Sequence, residues 1–378
     1  MTGGILDEAL QRLRDTGPER NGWLSNHAPM AAEALAHQGH AGRVHGWIDG
    51  YRDLLEDPPR GNSPIAPDDW RDPLGDPVRT GDWIAFFDRA MREQPWRDVL
   101  AIWWPRLLPG IAAGATHGVI RVGHAVRALL TEETGPRIDE LGRGLAYWAA
   151  RWQPIAPAGR GPYRSSDPRS ALDAVPRIPD QRFGIRSRLA QLADLPGWAG
   201  TAAAVPGAET ESVPDRLAAI VTAAVLRHRT HGYGNPVMLV HAATAPAAVL
   251  RTLPALPPAL HRPSLAAAWA ATAAVTAAYS PATPQPLPGT PPSPADVVQP
   301  AASSPARPHP ASPADVMQPA SSPARPHPAS PADVMQRSAD DGDPHAIKFA
   351  DTAVEAYATA GDPELLIAAD HATVLIRS

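Results

Sequence analysis

Proline is concentrated in one part of this chain and limits what that part can form. The 46 prolines among 378 residues are densest between residues 280 and 338, where SPADVVQ starts at Ser293 and SPADVMQ starts at Ser312 and again at Ser330. A tandem repeat of Pro, Ala and Ser cannot bury a core or form a regular hydrogen-bond ladder. We therefore expect 280–338 to be an extended, disordered insertion with polyproline-II character.

The repeat carries two histidines, His309 and His327, which we discount as ligands because they belong to its copies. A docking site for a protein partner of the PxxP type remains an alternative. Expansion of a surface loop produces the same pattern, so we expect no protein partner for the repeat.

The sequence on either side of the insertion has helical periodicity, and alternating β-branched strands are nearly absent. Asp343-Pro344 and Asp362-Pro363 each resemble an N-cap followed by proline in the first turn. The fold class predicted is all-α: one multi-helical, bundle-like domain, with its main part in 1–279 and a C-terminal helical pair in 339–378. Helices are expected at 5–14, 29–37, 82–94, 96–108 (interrupted at Pro105), 111–130, 137–151, 213–228, 236–251 and 264–279.

Charge and cysteine content exclude several function classes. The formal net charge is −5 and the pI is about 6.3, which argues against nucleic acid or an anionic membrane as the partner. The absence of cysteine excludes disulfides, thiolate metal sites, iron–sulfur clusters and a cysteine nucleophile. We find neither a signal sequence nor an apolar run of membrane length, so the expected location is the cytoplasm.

Several of the 14 histidines fall within apolar helical sequence. His117 and His124 are seven residues apart and share one face of a helix. His241 is followed one turn later by Thr244. Core histidines bonded to backbone carbonyls would explain each residue separately. Together with His27 and His345, these histidines would bring five imidazoles to inward positions on facing helices, as in the metal sites of helical bundles.

The 34 basic side chains include a single lysine, Lys348, three residues after His345. Arginine serves at least as well wherever only a positive charge is needed. A retained lysine therefore indicates chemistry that a guanidinium cannot perform: deprotonation, Schiff-base formation, or addition of carbon dioxide to give a carbamate. Chance survival is the alternative. A carbamate is an anionic oxygen ligand that suits a site built from neutral imidazoles.

Four sequence blocks resemble the questin oxidase-like family, whose members include fungal enzymes that open anthraquinone rings. They are NH-x-PM at His27, PRL-x-PG-x-AAGATHG-x-IR-x-x-HAVRAL over 105–130, HA-x-T-x-P at His241, and D-x-HAIKF over 343–349. The similarity extends over the chain outside the proline repeat, and the 105–130 block is its most specific part.

The resemblance implies an all-helical oxygenase with one non-haem iron held by histidines and a carboxylated lysine. It implies that Thr244 hydrogen-bonds the carbamate and acts with Lys348 in catalysis. Four histidines and the lysine suffice, so one of the five histidines is expected to lie outside the ligand set. The ligand candidates are His27, His117, His124, His241, His345 and Lys348.

The reaction expected from this resemblance is Fe(II)-dependent insertion of oxygen beside a quinone carbonyl and cleavage of the ring of an aromatic polyketide, with O₂ as co-substrate. Some fungal members are described as using NADPH, but this sequence has no dinucleotide-binding motif. An aromatic wall for a planar substrate and a site for a phenolate or carboxylate are expected, although core packing and surface arginines explain the same residues. The residues are Trp83, Phe86, Phe87, Trp103 and Trp104 for the wall, and Arg121 and Arg127 for the anion.

Two alternatives remain open from the sequence. Histidines with a carbamylated lysine also build two-zinc hydrolases, although those sites usually stand at the ends of barrel strands and use carboxylate ligands. The other alternative is a catalytically silent helical binding protein that retains the pocket.

Overall fold

The computed structural model describes residues 2–156, 167–208, 210–286 and 330–377. The all-α prediction is confirmed, because helices account for 69% of the structure and strands for 2%. The strands form one short antiparallel hairpin, β1 (Glu19–Arg20) and β2 (Leu24–Ser25). In chain order the α-helices are α1 (Thr2–Leu13), α2 (Ala28–His37), α3 (Val44–Arg52), α4 (Thr80–Glu93), α5 (Trp96–Leu107), α6 (His117–Thr131), α7 (Gly135–Ala150), α8 (Pro168–Asp173), α9 (Ile185–Ala190), α10 (Trp198–Ala203), α11 (Val213–His231), α12 (Pro236–Leu239), α13 (His241–Thr252), α14 (His261–Tyr279), α15 (Pro331–Asp341), α16 (Pro344–Ala360) and α17 (Glu364–Arg377).

Three of the expected helices differ from the structure in more than the exact position of their ends. Pro105 does not interrupt α5, because it lies in the last turn before the helix passes into a 3₁₀ turn at Leu108–Gly110. The helix predicted from residue 111 begins at His117 instead, after left-handed backbone at Gly114, Ala115 and Thr116. The segment 236–251 divides into α12 and α13.

The helices α2, α6, α13 and α16 enclose the centre of the molecule. Helix α6 packs against α2, α7 and α13, and α16 packs against α2, α11, α13 and α17. A Cβ atom on Gly123 of α6 would lie only 2.6 Å from the Cα of Ala248 in α13, so these helices approach closely because residue 123 has no side chain.

The last copy of the repeat is helical, so the predicted insertion boundary at 338 is wrong. Ser330 and Asp333 form a capping box at the start of α15, each side chain accepting from the other's backbone N–H at 3.1 Å. Val334 and Met335 are 1% exposed. Their burial anchors this copy to the core. The two helices that follow α15, namely α16 and α17, correspond to the predicted C-terminal pair. Residues 287–329, including His309 and His327, lie outside the described residues.

One apolar stretch was not expected. By length and composition alone, the segment Pro236–Ala255 is long and apolar enough to cross a membrane. However, 78% of an apolar stretch of 18 residues within it is buried inside the fold. The apolar character of this stretch is explained by the central position of α13, which packs against α6, α11 and α14.

Candidate metal centre

Four of the five candidate histidines converge where four helices begin. His27 immediately precedes α2, His117 is the first residue of α6, His241 is the first residue of α13, and His345 lies in the first turn of α16. The ring centroid of His27 lies 4.5 Å from that of His117 and 4.4 Å from that of His345, and the centroids of His117 and His241 are 4.6 Å apart. One ring nitrogen from each of His27, His117 and His345 lies within 4.8 Å of the other two.

The hydrogen bonds of two rings determine which nitrogens face the centre. His117 Nδ1 lies 2.6 Å from the carbonyl oxygen of Gly114, and His241 Nδ1 lies 3.1 Å from that of Met238. A carbonyl oxygen can only accept, so both Nδ1 atoms carry the proton and both Nε2 atoms are unprotonated when the rings are neutral. These two Nε2 atoms are 3.1 Å apart. The lone pairs of these two Nε2 atoms repel each other, and a cation bound by both atoms would replace this repulsion with attraction.

The rings are kept neutral by their surroundings. Burial, assisted by the positive charges of Lys348 and the neighbouring histidines, lowers the pKa of His27 and His117 well below the usual value. Burial also lowers the pKa of His241 and His345. A metal therefore would not have to displace protons from these side chains near neutral pH.

Asp343 orients the fourth ring. Its Oδ1 accepts from the backbone N–H of His345 at 2.7 Å and caps α16, and it also lies 3.2 Å from His345 Nδ1. The same carboxylate thus fixes the helix start and leaves His345 Nε2 free as a donor to a metal, the usual arrangement around a metal-binding histidine. The sequence showed Asp343 only as a helix cap, although its position two residues before a candidate ligand was a usable signal.

Left-handed backbone precedes His117. Ala115 and Thr116 have φ values of 58° and 69°, which cost on the order of 1–3 kcal/mol each for residues with a side chain. Gly114 has φ 53°, and a Cβ there would meet the Tyr147 hydroxyl at 2.7 Å. This strained turn places the Gly114 carbonyl against the His117 ring, so it maintains the orientation of a candidate ligand.

Lys348 lies beside these histidines with no compensating charge bonded to it. Its side chain is 0% exposed, and its Nζ has no hydrogen-bond partner among the described residues. Burial lowers its pKa to about 7, so that a large fraction of the amine is neutral at neutral pH. Because it follows His345 by three residues, the two side chains share one face of α16.

Three buried threonines lie within four residues of a clustered histidine or of Lys348 along the chain. The Thr244 hydroxyl, expected to bond a carbamate, donates to the Val240 carbonyl at 3.2 Å. The hydroxyls of Thr116 and Thr352 have no hydrogen-bond partner among the described residues. Thr352 follows Lys348 by one helical turn, and the sequence analysis did not identify it.

The fifth histidine lies elsewhere. His124 is two turns along α6 from His117, and its Nδ1 lies 2.6 Å from Glu33 Oε2 while its Nε2 lies 3.3 Å from Arg251. The seven-residue spacing places both histidines on one face of α6. Two helical turns separate them, however, so His117 lies in the histidine cluster and His124 lies among charged side chains. The geometry therefore brings together His27, His117, His241, His345 and Lys348 without His124.

His124 belongs to a buried ionic network that joins the same four helices. Arg127 donates to Glu33 at 2.9 Å and to Asp351 at 2.9 Å, while Arg251 donates to Asp351 at 2.6 Å. Burial opposes ionisation of Glu33, but the Arg127 charge and the His124 hydrogen bond lower its pKa to about 2. Arg127 is thus committed to carboxylates of the protein, and the expectation that it holds a substrate anion is corrected.

The other expected substrate residues are also occupied by structural contacts. Arg121 forms a bidentate pair with Glu140 at 2.6 and 2.8 Å, and both side chains are buried. Trp104 donates to Ser264 at 2.8 Å. These contacts replace the predicted substrate roles. The predicted aromatic wall is a packed core in which ring centroids lie 4.9–5.9 Å apart, formed by Trp83, Phe86, Phe87 and Trp103.

The donor set fits a transition metal. Two nitrogens bound at right angles to one metal through bonds of about 2.1 Å lie about 3.0 Å apart, close to the 3.1 Å between the Nε2 atoms of His117 and His241. Imidazole suits iron, zinc, copper and nickel alike, so the nitrogens alone do not select among them.

No protein-family model matches the chain, and no curated protein matches it either.

Proposed function

We propose that this chain is a non-haem iron oxygenase of the questin oxidase-like kind, acting on a small quinone-type aromatic in the cytoplasm rather than on nucleic acid or membrane. The observation that carries the proposal is the pair of unprotonated Nε2 atoms of His117 and His241 at 3.1 Å, with His27, His345 and the unbonded Lys348 amine beside them. The sequence resemblance supplies the choice of iron and of substrate class.

Lys348 is the residue proposed to carry the anionic ligand. A neutral amine adds to carbon dioxide through a new N–C bond, and loss of one amine proton leaves a carbamate with one negative charge. The pKa of about 7 provides the neutral amine that this step requires. A carbamate would also offset the positive charge of a bound metal, which otherwise faces four helix N-termini and only neutral imidazoles.

The protein's remaining contributions are orientation and exclusion of water. The Gly114 and Met238 carbonyls and the Asp343 carboxylate each hold one imidazole by its Nδ1–H. The four histidine residues are at most 8% exposed. Bound iron would supply the redox chemistry with O₂. Electrons from a hydroquinone form of the substrate would remove the need for an NADPH site.

The test is metal and carbamate content in one preparation. We expect one iron per chain after anaerobic loading, and a ¹³C NMR carbamate signal from ¹³C-bicarbonate that Lys348→Arg lacks. Lys348→Arg should also lose the iron, whereas His124→Gln, a change on the same helix as His117 but outside the cluster, should keep it. Full iron occupancy in Lys348→Arg would refute the carbamate ligand.

The two alternatives predict different results in the same experiment. Two zinc ions per chain would identify a hydrolase; among the described residues, the carboxylate bonded to the cluster is Asp343, through His345. One iron with tight quinone binding and no oxygen consumption on addition of a hydroquinone would identify a binding protein. Iron-dependent oxygen consumption supports the oxygenase.

A further inference from the structure

The clustered residues are least buried on the side of His345. That histidine is 8% exposed, the largest value among the five clustered residues, and the Asp343 side chain beside it is 36% exposed. This edge is therefore the part of the cluster nearest to solvent. Residues from the β1–β2 hairpin and from α3 lie against it.

Arg20, on β1, is the unpaired cation at this edge. Its Nε is buried and has no hydrogen-bond partner among the described residues. No carboxylate of the described residues lies within 4.0 Å of its guanidinium, whereas Arg151, which pairs with the neighbouring Glu19, and Arg121 both have carboxylate partners. A buried guanidinium N–H with no acceptor is unfavourable unless something else satisfies it.

Tyr51 connects Arg20 to the candidate ligands. The Arg20 guanidinium carbon lies 5.6 Å from the centre of the Tyr51 ring, and the Tyr51 hydroxyl accepts from the backbone N–H of His27 at 3.3 Å. The Arg20 charge also reaches His345, where it helps to lower the pKa of the imidazole. The unpaired guanidinium is therefore one aromatic ring away from the metal centre.

The same edge presents aromatic surface. Trp47 stacks on Tyr51 at 4.8 Å and is fixed by its Nε1–H, which donates to the Gly342 carbonyl at 2.8 Å. Trp23, three residues after Arg20 at the turn of the hairpin, is 68% exposed. An exposed indole such as that of Trp23 offers a face on which a flat ring can pack.

The hairpin is held in place independently of any ligand. The Glu56 carbonyl accepts from Gly17 N–H at 2.6 Å, and the Ser25 hydroxyl bonds the Tyr147 hydroxyl at 2.7 Å. Arg20 is thus presented on an element that the protein itself holds in place.

We infer that Arg20 anchors an anionic oxygen of the substrate at the mouth of the metal centre, so that the substrate class is an acidic hydroxyquinone or aromatic carboxylate rather than a neutral quinone. This inference rests on the proposed function. An oxyanion or carboxylate would accept from the two terminal Nη–H groups of Arg20, a bidentate geometry that a guanidinium favours.

The experiment compares two probes of the same shape on the iron-loaded chain. 2-Hydroxy-1,4-naphthoquinone is an anion at neutral pH, and 1,4-naphthoquinone is neutral. The chain has no cysteine that could form a covalent adduct with either probe. Equilibrium dialysis should show at least about tenfold tighter binding of the anion, a preference that one charge-assisted bidentate contact can supply.

Arg20→Gln should remove that preference by weakening the anion about tenfold and the neutral quinone less than twofold. Arg20→Lys keeps the charge without the planar fork and should be intermediate, which provides a second variant if Arg20→Gln folds poorly. Arg52→Gln, at an exposed arginine on the helix that carries Tyr51, is the matched control and should bind both probes as the parent does.

Iron content distinguishes failure of the inference from failure of the proposed function. A parent chain that takes up iron but binds both probes equally, or an Arg20→Gln chain that keeps the anion preference, overturns the role of Arg20. A parent chain without iron refutes the proposed function, and the same dialysis on that chain still decides whether Arg20 binds the anion.

Discussion

The Nε2 atoms of His117 and His241 face each other at 3.1 Å although the Nδ1 atom of each ring already donates to a backbone carbonyl. In a metal-free protein this geometry opposes two lone pairs in a buried space. We therefore expect the pair to destabilise the metal-free fold and to favour metal binding. Substitutions can separate these two effects.

His241→Leu should lower metal affinity at least about 100-fold, because it removes a direct ligand. Loss of a residue that only hydrogen-bonds a ligand already lowers affinity about 10- to 100-fold. The metal-free variant should unfold at the same temperature as the parent or higher, because the facing lone pairs are gone. Competition with a chelator and thermal denaturation with and without metal measure the two effects. His228→Gln, a buried histidine on α11 outside the cluster, should keep the affinity; an equal loss there would argue against a defined site.

Lys348→Met should stabilise the metal-free, carbon-dioxide-free protein. The folded pKa of about 7 lies below the ordinary 10.5, so the native state binds fewer protons than the unfolded chain between these values. The burial cost is complete below pH 7 and diminishes as the pH rises toward 10.5, with a slope of about 1.4 kcal/mol per unit.

Urea denaturation of parent and Lys348→Met protein between pH 7 and 10 checks this prediction. The difference in unfolding free energy should be largest near pH 7 and shrink with increasing pH. A difference that does not vary with pH would mean that the amine is not desolvated.

Asp343→Asn should separate helix capping from ring orientation. Asparagine caps a helix about as well as aspartate, so the unfolding free energy should change by less than about 1 kcal/mol. Metal affinity should fall about 10- to 100-fold, because the negative charge behind the His345 ring is lost. Asp362→Asn at the start of α17, where the carboxylate accepts from Glu364 N–H at 3.0 Å, is the matched control and should leave metal affinity unchanged.

Arg127→Met should cost about 3–5 kcal/mol of unfolding free energy, because Glu33 and Asp351 remain buried without their main counter-charge. Arg97→Met provides the comparison, since its partner Glu133 and Arg97 are both about half exposed. Exposed pairs contribute roughly 0–1 kcal/mol. Similar losses in both variants, measured by chemical denaturation, would show that the network is not what holds the four helices together.

Met335→Ala should destabilise the protein by about 2–5 kcal/mol, the range for removing a buried large apolar side chain. Met317 occupies the same place in the preceding SPADVMQ copy. Met317→Ala should leave the unfolding midpoint unchanged, because the core position is filled by Met335. If the two variants were equally destabilised, the copies would be interchangeable in α15.

Features set by neighbouring residues could be predicted from the sequence. The Asp343-Pro344 cap gave the start of α16, and apolar periodicity gave the all-α class. The convergence of His27, His117, His241 and His345 depends on tertiary packing. Their apolar helical surroundings marked them as candidates in the sequence, but neither those surroundings nor the family resemblance determined which four would meet. The network of Glu33, Arg127 and Asp351 could not be predicted because its members are separated by as many as 318 residues along the chain.

The predictions were wrong where one sequence feature is compatible with two different structures. Pro105 breaks helices in general but is tolerated near the end of α5. The final SPADVMQ copy has the composition of a linker, yet the following residues let Val334 and Met335 reach the core. Trp103, Trp104 and Arg121 had the right residue types for substrate contacts, but such types also build cores and buried ion pairs.

The capping box at Ser330 has a consequence for how this gene can change. The two SPADVMQ copies begin at Ser312 and Ser330, and the nine residues before each copy are identical. Slippage during replication that removes 312–329 would join the same residues to the start of α15. The length of the tract can therefore drift by whole units without a mutation in any residue that the folded domain uses.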